Sequence, residues 1–186
     1  LVQAASAGDL DAFETLVRRY QTRVVNYVLA IVRDTGEADD VAQETFIRAH
    51  RSLERFRSES SFKTWLYTIA TNTARSALDR RARRKRVADK SLDDDAQAQG
   101  AERVPSQGPD VETALVAREA IDNALATLSD DLRVAVVLRD VEGFDYQEIA
   151  DLTDVPIGTV ESRIFRARRQ LRILLRPLKE MTHALR

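Results

Sequence analysis

Apolar residues recur at helical spacing over most of this chain. Phe13, Leu16, Val17 and Tyr20 lead into Val24, Val25, Val28, Leu29 and Val32, a period that predicts helix throughout this stretch. The stretch "RDTGEAD" (33–39) breaks the period and predicts a turn, with Gly36 free to take a positive φ. A second helix is expected over 38–53, turning Val41, Ala42, Phe46 and Ala49 inward and Asp40, Gln43, Glu44 and Thr45 outward. After a break at "RFRSESS" (55–61), a third helix runs from Phe62 into "RSALDRRARRKR".

The period then disappears. Residues 87–113 carry two Pro, two Gly, no aromatic and a net charge of −5, the composition of a flexible acidic linker. A connection of that length predicts two domains, 1–86 and 114–178, with a short tail at 179–186. Helical spacing resumes at 114–128 on Leu115, Ile121, Leu125 and Leu128. A helix over 129–144 is expected to start at Ser129 as N-cap, with Asp130 and Asp131 at its positive end, and to stop at Gly143.

In "YQEIADLTDVPIGTVESRI" a short helix carries Ile149, Ala150 and Leu152. A tight turn follows at 153–156, and a second helix carries Val160, Ile164 and Leu171. That is a helix-turn-helix pattern, with Asp154 where the turn often has Gly. Asp is one of the few residues that tolerates the left-handed conformation.

Composition narrows the function classes. With 32% charged residues, six Gly and four Pro, the chain favours helix over sheet. The absence of Cys excludes a disulfide framework and a thiolate metal site, and it fits a reducing cytoplasm. His50 and His183 alone leave little for a histidine metal site, and no Gly-rich phosphate loop supports an enzyme. No apolar run approaches the ~18 residues of a membrane span, and the N-terminal stretch lacks signal-peptide layout.

The net charge of −1 hides a strong segregation. Arg163, Arg166, Arg168, Arg169 and Arg172 crowd the last helix with Glu161 as the only acid among them. Such a helix either faces something negative or is an unbalanced solvated face; in a helix-turn-helix the second helix enters the DNA major groove. Residues 79–90 carry a net +5, preceded by Phe56, Phe62, Trp65, Tyr67 and Asn72. Rings beside a basic run suit single-stranded nucleic acid, where bases stack and cations follow the backbone. Taken singly, Phe56, Phe62 and Trp65 are also what a helical core requires.

Three stretches, "DDVAQETFIRAH", "FKTWLYTIATNTARS" and "YQEIADLTDVPIGTVESRIFRARRQLR", resemble in order and spacing a bacterial extracytoplasmic-function (ECF) RNA polymerase sigma factor of the RpoE-like branch. The resemblance runs from about Leu1 to Leu178. It implies an all-α chain of two small domains, a sigma-2 bundle and a sigma-4 helix-turn-helix, joined by the acidic linker. It implies binding to the β′ and β subunits of core RNA polymerase and recognition of −10 and −35 promoter elements, for an envelope or other stress regulon. An anti-sigma factor, often membrane-anchored, is implied as a partner; cofactor, metal, catalytic residue and membrane insertion are not, and a cytoplasmic location is expected.

By position, Asp40, Gln43 and Glu44 match the helix that docks on the polymerase β′ coiled coil. Phe56, Arg57, Ser58, Ser60 and Ser61 fall in the loop that forms a pocket for a flipped −10 base, and Trp65, Tyr67, Asn72 and Arg75 match positions near the melted strand. Thr159, Glu161, Ser162, Arg163, Phe165, Arg166 and Arg169 lie on the −35 reading helix. Glu161 departs from the family pattern, which often has a basic residue there. An acid would repel a phosphate but could accept from a cytosine amino group.

Overall fold

A computed structural model describes residues 1–57, 59–89 and 109–176 of the chain. Ser58, residues 90–108 of the expected linker and the tail at 179–186 lie outside the described residues. All regular structure among the described residues is helical, and it divides into two compact units. The first carries α1 (Val2–Ser6), α2 (Leu10–Val32), α3 (Thr35–Ser52), a 3-10 turn (Leu53–Arg55) and α4 (Phe62–Asp89). The second carries α5 (Pro109–Thr127), α6 (Asp130–Val136) with the π-helical turn that ends it (Val137–Val141), and α8 (Ile157–Leu174); α7 (Tyr146–Thr153) begins in it, and residues 150–154 group with the first. Both α4 and α5 extend into the segment expected to be linker.

In the first unit α2 starts where the Asp9 carboxylate accepts the free Ala12 N–H at 3.0 Å. Its apolar stripe buries Leu16, Val24, Tyr27, Val28 and Ile31. The reversal into α3 differs from expectation. Arg33, not Gly36, takes the left-handed conformation (φ 62°), closing α2 through a 2.9 Å bond from its N–H to the Leu29 carbonyl. Asp34 then caps the Glu37 N–H at 2.8 Å, so α3 begins at Thr35 and Gly36 is absorbed into its first turn.

Small residues let α4 lie close to α2 and α3: Ala70, Ala74 and Ala77 are fully buried. The Tyr27 hydroxyl meets the Thr71 hydroxyl at 2.6 Å, satisfying two buried polar groups at once. Thr45 was expected on the outer face of α3. It is instead fully buried, because its hydroxyl donates to the Val41 carbonyl at 2.7 Å and exposes no unmet polar group to the core.

In the second unit every residue from Leu132 to Leu138 is buried, so α6 is enclosed on all sides. Ser129 has the extended backbone of an N-cap but makes no side-chain capping bond. The plain helix expected over 129–144 also does not form. After Val136 the ladder widens, the Glu142 N–H reaching back five residues to the Val137 carbonyl at 3.0 Å. Gly143 at φ 77° then stops it, as expected. The turn between α7 and α8 is made by Asp154 in the left-handed conformation (φ 54°). Along α8, Val160, Ile164 and Ala167 are buried, and Leu171 is half-buried.

Candidate nucleic-acid interface

Four rings gather around the start of α4. Phe56 lies 5.1 Å from Trp65 and 6.2 Å from Phe62; Phe62 lies 5.6 Å from Trp65 and 5.5 Å from Tyr20. Phe62 is buried and anchors the group, while Phe56 and Trp65 are half-exposed and form its outer surface. Ser61 fixes the entry of the chain into α4: its hydroxyl accepts the Thr64 N–H at 3.0 Å, an N-cap bond. Arg57 and Ser60 stand exposed on the loop before it.

Two turns beyond Trp65, Asn72 is exposed on the same side of α4, about 10 Å along the axis, with half-buried Arg75 following. Tyr67 does not join them. It is 0% exposed, its ring 5.0 Å from Tyr27, because it points to the opposite side of α4 from Trp65 and into α2. The assignment of Tyr67 to a strand-facing surface is therefore corrected: it is a core residue.

The basic end of α4 is not uniformly free. Arg81 turns back to α2 and α3, with its Nη1 3.3 Å from the Val32 carbonyl and 3.8 Å from Glu37. Arg80 and Arg84 line a cleft of about 700 Å³ whose other wall includes Asp40 and Glu44 of α3. Asp40 and Gln43 are exposed. The Glu44 carboxylate accepts from Arg48 Nε at 2.6 Å, and that bond holds its pKa below the usual carboxylate range. The three residues make a polar face with a fixed negative charge.

On α8 the exposed stripe opposite the buried one holds Ser162, Phe165, Arg166 and Arg169. Phe165 is 69% exposed, an unusual position for a large ring on a helix that has a core available. Thr159 is half-buried near the start of the helix, and Glu161 is exposed on one flank. Arg163 is less available than its place in the pattern suggests. Its side chain is 17% exposed and its Nη2 donates to Asp131 of α6 at 2.5 Å. The sequence also gave no reason to single out Arg168, held by Asp140, or Tyr146 in the adjoining cleft; those partners lie far away along the chain.

Among the described residues no group of three or more His, Asp or Glu could hold a metal ion. No helix among them is long and apolar enough to cross a membrane.

Two known sequence families match the chain. Residues 16–84 match the family described as Sigma-70 region 2, and residues 118–171 match Sigma-70, region 4. Over 182 residues the chain is 41% identical to the RNA polymerase sigma-H factor of Pseudomonas aeruginosa, covering 96% of this chain and 93% of that one. It is 39% identical over 180 residues to the ECF RNA polymerase sigma-E factor of Escherichia coli K12, covering 96% and 94%. Among solved structures it is similar to the sigma factor RpoE of Bartonella quintana in complex with the anti-sigma factor NepR, at 26% identity and a TM-score of 0.71 over 90% of this chain and 98% of that one. It is also similar to CnrH in complex with the cytosolic domain of CnrY, at 26% identity and a TM-score of 0.67 over 95% of each.

Proposed function

The chain belongs to the extracytoplasmic-function sigma factors of the sigma-70 family, and on that premise we propose how its two units divide the work of promoter recognition. As a sigma factor it binds core RNA polymerase and directs promoter-specific initiation of transcription. In this reading residues 1–86 form the sigma-2 domain, 87–113 the linker and 114–178 the sigma-4 domain.

Asp40, Gln43 and Glu44 dock on the β′ subunit of core. The −35 element is read as duplex by α8, with Ser162 and Phe165 toward base edges and Arg166 and Arg169 toward phosphates. The −10 element is read as single strand. A base leaving the stack loses a few kcal/mol of stacking and pairing; the loop around Phe56, Arg57, Ser60 and Ser61 receives it, and Trp65, Asn72 and Arg75 line the path of the strand. The observation that carries this reading is the aromatic cluster at the start of α4, with half-exposed Phe56 and Trp65 outermost and a basic helix end beyond. Phe62 serves the core of any such unit, whereas a duplex-only regulator does not require the outward Phe56 and Trp65.

The bond-making chemistry belongs to the polymerase, so the chain acts as a specificity factor in the cytoplasm rather than as an enzyme. An anti-sigma factor restrains it by covering the same faces, and a membrane-anchored inhibitor suits an envelope-stress regulon. The complexes of similar sigma factors with NepR and with the cytosolic domain of CnrY support that control. Gel filtration with core polymerase tests the reading: co-elution is expected, and binding to promoter DNA with no affinity for core would leave a stand-alone regulator.

A further inference from the structure

The second unit treats the arginines of α8 unequally. Arg168 is gripped by Asp140, with Nε 3.0 Å from Oδ2 and Nη2 2.5 Å from Oδ1. This is a two-point pairing of guanidinium with carboxylate; it uses two of the five N–H donors, and Tyr146 takes another. The bond to Asp140 raises the Arg168 pKa above the ordinary arginine value, with a hydrogen bond to Tyr146 adding to it.

Tyr146 is itself held in place. Arg139 stacks on its ring at 4.9 Å and donates to the Phe144 carbonyl at 2.8 Å. Both Arg139 and Asp140 belong to the π-helical turn, whose wider winding alters the direction of each side chain relative to plain helix. The side chain of Arg168 remains 46% exposed. It lines a cleft of about 650 Å³ together with Phe165, Arg169 and Arg172.

A free surface arginine loses much rotamer freedom when it grips a phosphate; an arginine already fixed by a carboxylate loses less. We propose that Asp140 is a positioning residue for promoter recognition, holding Arg168 so that its outer edge meets a backbone phosphate beside the −35 element. This rests on the −35 reading of α8. It opposes the simplest electrostatic expectation, in which an acid close to DNA only repels it and its neutralisation strengthens binding.

The sign of the effect decides the matter. Holoenzyme reconstituted from the full chain and core polymerase is titrated onto promoter DNA over a series of KCl concentrations. Asp140→Asn is expected to weaken binding about three- to tenfold, the loss that follows removal of one charge-assisted partner. The weakening is equal on promoters that differ in −35 sequence, because phosphate contacts carry no sequence information.

Arg168→Ala weakens binding similarly and lowers the salt slope by about one. The double variant is no weaker than Arg168→Ala alone, and Asp140→Glu retains most of the affinity. Tighter binding by Asp140→Asn, or additive losses in the double variant, overturns the proposal. Should Asp140→Asn fail to fold, Arg168→Lys carries the test, since it keeps the charge and loses the fork: weakening supports the proposal and wild-type affinity overturns it. Arg169→Ala separates the two levels. If it weakens binding while Asp140→Asn does not, only the positioning role fails; if neither Arg169→Ala nor Arg168→Ala weakens binding, the −35 reading of α8 fails with it.

Discussion

Trp65 and Tyr67 stand two residues apart on α4, and replacing each with Ala should produce opposite kinds of damage. Tyr67 is fully buried 5.0 Å from the Tyr27 ring. Its removal opens a cavity where α4 packs on α2, at a cost of about 3–5 kcal/mol. Roughly 0.5–1.5 kcal/mol of that is the ring pairing with Tyr27. Against a total stability of about 5–15 kcal/mol for a small domain, Tyr67→Ala leaves the first unit marginal. Trp65 is half-exposed, with Phe62 on its inner side and Phe56 beside it, so its loss removes only part of a buried ring, about 1–2 kcal/mol. Its larger contribution is to the strand. One stacked base is worth about 1–3 kcal/mol, which corresponds to roughly a 5- to 140-fold fall in holoenzyme affinity for a single-stranded −10 oligonucleotide. Urea unfolding followed by circular dichroism gives the first quantity, and fluorescence anisotropy of the labelled oligonucleotide gives the second. A Tyr67→Ala protein that unfolds at the wild-type midpoint yet loses the oligonucleotide as Trp65→Ala does would refute the assignment of Tyr67 to the core.

Other substitutions test the remaining faces. Glu44→Arg places a cation beside Arg48 on the docking face, and affinity for core polymerase should fall in gel filtration while the circular dichroism spectrum is unchanged. Because the Arg48 bond lowers the Glu44 pKa, the charge that Glu44 lends to docking is present throughout the neutral range. It is lost only as pH falls through that lowered value, so core binding measured from pH 8 down to pH 4 should show no step from this group; a step at or above the ordinary Glu pKa of about 4.3 would contradict the pairing. Arg166→Ala should weaken promoter binding on every −35 variant and reduce the salt slope by about one, whereas Ser162→Ala should change which variant is preferred by about 1–3 kcal/mol. Asn72→Ala should slow open-complex formation more on a matched −10 element than on one with the key base already changed, and equal losses would make Asn72 structural.

The helices were legible because their apolar residues recur with the period of the backbone, and Asp154 could be placed in the left-handed turn because few other residues tolerate it. Side-chain direction within a broad buried helix was less legible. Thr45 looked outward because it is polar, yet a hydroxyl that bonds its own helix is readily buried. Tyr67 looked like a strand-facing ring because it follows Trp65 in an aromatic-rich stretch, but two positions along a helix is about 200° of rotation, just over a half-turn away. The left-handed Arg33 displaced an expectation built on Gly36, since the cap at Asp34 decides where α3 starts. Nothing in the sequence marks the π-helical turn, whose bond pattern depends on how α6 is enclosed. The partners of Arg163 and Arg168 lie 32 and 28 residues away, beyond any local pattern. The aromatic cluster was legible as a group; which rings face outward was not.

Transcription with purified core polymerase on a fragmented genomic library, with and without this chain, tests the central claim most directly. The expected result is a set of discrete start sites, dependent on the chain, that share one −10 and one −35 element at fixed spacing. Starts that are the same with and without the chain, or promoter fragments bound by the chain with no transcript from core, would contradict it.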